Sequence, residues 1–102
     1  MAAVRKHEGD TMLASDVTAK RFRPTKFRQG YDQGEVDTFL DRVHATLAGY
    51  EQGRPADPLT PEDVTNARFT PTAWREGYAQ GEVDDFLDEV VVALRQAQQR
   101  RR

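Results

Sequence analysis

A chain of 102 residues, 31% of them charged and 37% hydrophobic, carries a net charge of −2 and no cysteine. That length is one domain's worth of chain, the missing cysteine excludes disulfides and thiolate metal sites and fits a reducing compartment, and no apolar run approaches membrane-spanning length. Residues 1–10 lack the hydrophobic segment of a signal peptide, so the expected location is the cytoplasm.

Residues 1–11 are polar and without periodicity, and read as a mobile tail. Met12, Leu13, Ala14 and Val17 then fit a short helix, with Ser15 or Asp16 as its cap. Next comes a connector, Arg21 to Tyr31, in which Pro24 forbids further helix and Gly30 supplies either a positive backbone dihedral or a close approach. A long helix follows, with Asp32 and Glu35 as a capping box. Its apolar residues Val36, Leu40, Val43, Leu47 and Tyr50 are spaced 4, 3, 4 and 3, a coiled-coil seam that Phe39 widens. Gly49, Gly53, Pro55 and Pro58 end this helix and make a linker over residues 52–58.

From there the chain repeats itself. Residues 59–98 lie over residues 12–51 at an offset of 47 without a gap, and 20 of 40 positions are identical. Thr60 caps the second short helix with Pro61 at its first position. Pro71 and Gly77 stand where Pro24 and Gly30 did, and Val83, Phe86, Leu87, Val90 and Leu94 repeat the seam. Ala79 occupies the cap position of the second long helix, which should therefore fray more than the first. Residues 99–102 form a basic tail suited to a helix C-terminus. The expectation is an all-α chain of two tandem short-helix/loop/long-helix repeats, residues 12–51 and 59–98, with the long helices paired as a pseudo-symmetric bundle. The seam fits a supercoil or an ordinary helix pair, and a parallel or an antiparallel one. A repeat of about 40 residues is too small for a core of its own, so the chain is expected as a monomer with an internal pseudo-dimer or as a homodimer.

The repeated residues Phe22, Gly30, Tyr31, Glu35, Val36, Asp37, Phe39, Leu40, Asp41 and Val43, headed by a short helix, resemble the N-terminal domain of the DivIVA family. The second copy, from Leu59-Thr60-Pro61-Glu62-Asp63-Val64 through Phe69 and Gly77-Tyr78 to Glu82-Val83-Asp84-Asp85-Phe86-Leu87-Asp88-Glu89-Val90, is similar over more positions. The resemblance implies a non-catalytic, membrane-associated scaffold module of bacterial cell division or polar growth. It would sit on the inner face of the membrane at the septum or cell pole and recruit other proteins. It also implies a long helix that pairs in parallel, and a loop tip whose aromatic–arginine pair touches lipid. The matching tips here are Phe27-Arg28 and Trp74-Arg75.

The residues support a lipid contact on their own terms. Lys20, Arg21, Arg23, Lys26 and Arg28 stand together without an acid, with Phe22 and Phe27 interleaved, the pattern that anionic lipid rewards. Phe22 and Phe69 read as core under the loops, whereas Phe27 and Trp74 are either core or interfacial. Arg23, Lys26, Phe27, Arg28, Trp74 and Arg75 are the expected membrane contacts, and because the second loop keeps only Arg68 and Arg75, the first should dominate any electrostatic binding. Two other partners fit less closely: a longer coiled-coil scaffold met through the helix seams without lipid, and nucleic acid. His7 and His44 have no companion ligand for a metal, the helical carboxylates read as a solvated face or as partners of loop arginines, and no cofactor-binding motif is present, so no enzyme activity is expected.

Overall fold

The computed structural model describes residues 12–100. The tail expected over residues 1–11, the last two residues of the basic tail, and His7 lie outside them. In chain order the elements are α1 (Ala14–Ala19), β1 (Pro24–Thr25), β2 (Gly30–Tyr31), α2 (Gln33–Glu51), α3 (Pro61–Thr65), β3 (Pro71–Thr72), β4 (Gly77–Ala79) and α4 (Gln80–Arg100).

The expectation of an all-α chain fails. The two connectors form a four-stranded antiparallel sheet in the order β1-β4-β2-β3. Each strand is two or three residues long, too short to show alternation, and every pairing joins one repeat to the other. Pro24 and Pro71 fall on the two edge strands, where a missing N–H costs no ladder bond.

The sheet has its own pseudo-twofold axis. In the central pair Tyr31 lies opposite Tyr78, its own equivalent, and neighbouring antiparallel strands are related by a twofold normal to their sheet. Because β4 lies between β1 and β2, residues 26–29 must cross β4; residues 73–76 cross β2 in the same way, on the same face. Two further main-chain bonds lock the crossing, Asp32 N–H to Thr70 O and Ala79 N–H to Arg23 O, both 2.9 Å.

The helix caps follow local chemistry. Thr60 Oγ1 accepts from Asp63 N–H at 3.0 Å while Asp63 accepts from Thr60 N–H at 2.9 Å, a reciprocal box with Pro61 at the first helical position. Leu13, rather than Ser15 or Asp16, precedes α1, and Asp16 reaches back to its N–H at 2.7 Å. Asp32 caps α2 by accepting from Glu35 N–H at 2.9 Å, but Glu35 does not close the box. It turns to the other repeat and accepts from both the N–H and the hydroxyl of Thr70.

The long helices run in the same direction. Their starts meet at the Tyr31–Tyr78 pair, and the segment 59–69 around α3 returns from the level of Thr46, which accepts from Leu59 N–H at 3.1 Å, to that of Phe39, which packs on Phe69. The same short helix lies against Leu87 and Val91 of α4. The linker therefore has no long return to make. It folds against the last turn of α2, with Gly53 at φ 76° and Arg54 N–H bonded to Gly49 O, and α3 with its connector makes the journey back.

Val36, Leu40, Val43, Leu47, Val83, Phe86, Leu87, Val90 and Leu94 are buried in one core, and Phe39 is half-buried against it. Ala14, Val17, Leu59 and Val64 of the short-helix segments close the same core. Contact is denser between each short helix and its long helix than between the long helices themselves, so this is a four-helix packing rather than a bare supercoil. α4 runs through residues 99 and 100, which belong to the helix and not to a separate tail.

Candidate functional site at the crossed end

The crossed end carries the two large aromatic side chains that the fold leaves in solvent. Phe27 is 78% exposed and Trp74 is 83% exposed, at equivalent positions of the two repeats and on the same face of the sheet. The other connector aromatics do the opposite. Phe22 packs on Tyr78 and Phe86, and Phe69 on Tyr31 and Phe39, with ring centroids 5.3–5.9 Å apart. Each repeat thus plugs its first phenylalanine into the other repeat and leaves its second aromatic outside.

Hydrogen bonds repeat the exchange. Tyr31 donates to Asp84 at 2.8 Å and Tyr78 to Asp37 at 2.7 Å, each across the pseudo-twofold. Burial and then the aspartate acceptor raise both phenols, Tyr78 to about 12. A phenol whose folded value lies above its ordinary 10.0 stabilises the fold fully below that pH and loses the contribution as pH rises through about 12. Unfolding stability measured from pH 9 to 12 should therefore fall with pH. Tyr78→Phe should lower the neutral-pH value modestly and flatten the alkaline slope; an unchanged slope would contradict this reading of the bond.

The basic residues divide sharply. Lys20 lies over the rings of Phe22 and Phe86 at 5.6 and 5.4 Å, and Arg21 donates to Thr18 O and Lys20 O. Arg23 stands 3.6 Å from Glu82, which also accepts from its N–H. Lys26 leans over Phe27 at 6.0 Å, and Arg28 has no hydrogen-bond or ion-pair partner among the described residues. On the second connector Arg68 donates to Thr65 O and Ala67 O. Arg75 is held by Asp32 at 2.9 Å. Of the six residues read as lipid contacts, Lys26, Phe27, Arg28 and Trp74 are exposed and have no carboxylate partner among the described residues, whereas Arg23 and Arg75 each face an acid of the opposite repeat.

Sequence reasoning missed Glu35, Glu82, Asp37 and Asp84 as the residues that lock the crossing, although their identity at an offset of 47 marked them. His44 is exposed, and it lines a cleft with Lys20, Asp37 and Asp41. Among the described residues no group of three or more His, Cys, Asp or Glu side chains is placed to hold a metal ion, and no helix is long and apolar enough to cross a membrane. Compared with known proteins, the chain matches no family model, no curated protein and no solved structure.

Proposed function

We propose that this chain is a non-catalytic module that settles on an anionic membrane surface through its crossed end. The observation that supports it most is the pair Phe27 and Trp74, both more than three-quarters exposed, with the exposed Lys26 and Arg28 flanking Phe27 in the chain. Folding leaves these rings in water at an energetic cost, and an interface that takes aromatic rings at headgroup depth and cations at its surface would relieve it. The resemblance of both repeats to the DivIVA N-terminal domain points to the inner face of the membrane in bacterial division or polar growth, at the septum or cell pole. In this reading two repeats in one chain do the work of two partners, and each exchanges its connector with the other.

A scaffold met through the helix seams has less to hold. The seam residues from Val36 to Leu47 and from Val83 to Leu94 are already buried against each other and the short helices. Co-sedimentation with vesicles tests the proposal. The protein should pellet with vesicles rich in phosphatidylglycerol or cardiolipin, stay in solution with phosphatidylcholine alone, and be released as salt rises. Equal pelleting with both would remove the electrostatic part. No pelleting with either, together with a shift of a nucleic-acid duplex on a gel, would favour phosphate recognition of another kind.

A further inference from the structure

The repeats differ at several positions of the tips, and one of these differences decides which tip arginine is tied to an acid. Asp32 of the first repeat corresponds to Ala79 of the second, and both make the same main-chain bond to the opposite connector. From that position Asp32 reaches across the axis to Arg75 at 2.9 Å, while its other oxygen caps α2. Its carboxyl lies below the usual carboxylate range, held there first by the Glu35 N–H and then by Arg75, so the tie persists at neutral pH. The mirror-image tie would run from position 79 to Arg28. Alanine there has no carboxylate to offer, and Arg28 remains without a partner among the described residues.

We infer that Asp32 assigns the two tips different tasks: it holds the Arg75 guanidinium on the protein and steadies the Trp74 tip, and leaves Arg28 as the guanidinium that meets a lipid phosphate. This rests on the membrane reading for its lipid half only. The tie itself is a property of the protein in solution. A dimer of identical chains would have two like tips; joining the repeats in one chain lets one become the anion-binding tip and the other an aromatic wedge.

Asp32→Asn keeps an acceptor at the cap, since asparagine caps about as well as aspartate, but removes the charge that holds Arg75. Ala79→Asp offers Arg28 the missing carboxylate. Trp74, the single tryptophan, reports on its own tip. In solution without lipid, Asp32→Asn should speed the local component of the Trp74 anisotropy decay. With anionic vesicles Asp32→Asn should bind tighter, on the order of fivefold for one freed basic side chain, and Ala79→Asp weaker by a similar factor. Asp57→Asn and Ala56→Asp make the same charge changes in the linker at the far end of the helices, and should move binding less than twofold. An unchanged anisotropy decay overturns the tie, whatever the vesicles do. Variants at 32 and 79 that shift binding no more than the linker controls overturn the assignment of tasks. A parent that ignores anionic vesicles while Asp32→Asn still loosens Trp74 overturns the membrane reading and supports the tie.

Discussion

Replacing Gly30 or Gly77 with alanine should destabilise the protein by about 3 kcal/mol, the upper part of the range for forcing atoms into a packed site. In a domain of this size that lowers the melting temperature by roughly 12–24 °C. Neither glycine has a positive φ, so the cause is proximity. A Cβ on Gly30 would collide with Thr25 Oγ1 and stand 2.8 Å from Tyr78 O; one on Gly77 would collide with Thr72 Oγ1 and stand 2.7 Å from Tyr31 O. The carbonyls belong to the central β2–β4 pair, which cannot shift without separating the two repeats. Gly34→Ala and Gly81→Ala are the controls, because a Cβ there meets only an ordinary 3.5 Å contact or open space. Thr25→Ala should rescue Gly30→Ala in part, since it removes the hydroxyl but not the carbonyl. Thermal melts that rank all four glycines alike would mean that the crossing is looser than described.

The second large effect belongs to the first tip. Lys26→Ala with Arg28→Ala should weaken binding to anionic vesicles roughly thirtyfold, from about 1 kcal/mol for each basic side chain near the surface. Arg23 was the third cation of the sequence reading, yet Glu82 offsets its charge, so adding Arg23→Ala should contribute less than either of the others. Folding should be untouched, because neither Lys26 nor Arg28 makes an ion pair among the described residues. Raising salt on the parent should reproduce the loss, with screening over about 8 Å at physiological ionic strength. If the double variant pelleted like the parent while Trp74→Ala did not, the second tip would be the main contact.

The helices were legible because their signals are local. A cap at Thr60, a 4-3-4-3 seam and a proline stop each lie within a few residues of what they specify. The sheet was not, because its strands are two or three residues long and their partners come from the other repeat, near the repeat offset of 47. An all-α expectation was the result. Gly30 and Gly77 could be picked out as places of close approach or unusual backbone, and close approach is what they provide. The direction of the long helices stayed open because the seam fits either sense, and the return path through α3 and its connector is fixed by contacts between segments distant in sequence.

At the tips the sequence pointed to residue types but not to their engagements. Arg28 and Arg75 look equivalent in the two motifs, and the difference between Asp32 and Ala79 gives an acid partner to Arg75. Tyr31 and Tyr78 were visible as repeated residues, while their acceptors Asp84 and Asp37 lie 53 and 41 residues away and looked like part of a solvated helix face.

The most direct measurement of the membrane proposal is the depth of Trp74 in a bilayer. With no other tryptophan in the chain, its emission and its quenching can be read without labels. Mixed with anionic vesicles, the protein should shift its emission to shorter wavelength, lose access to aqueous iodide, and be quenched more by bromine near the headgroups than by bromine deep in the acyl chains. A protein that pellets with the vesicles while Trp74 stays as open to iodide as in solution would bind by some other face, and the crossed end would not be the membrane contact.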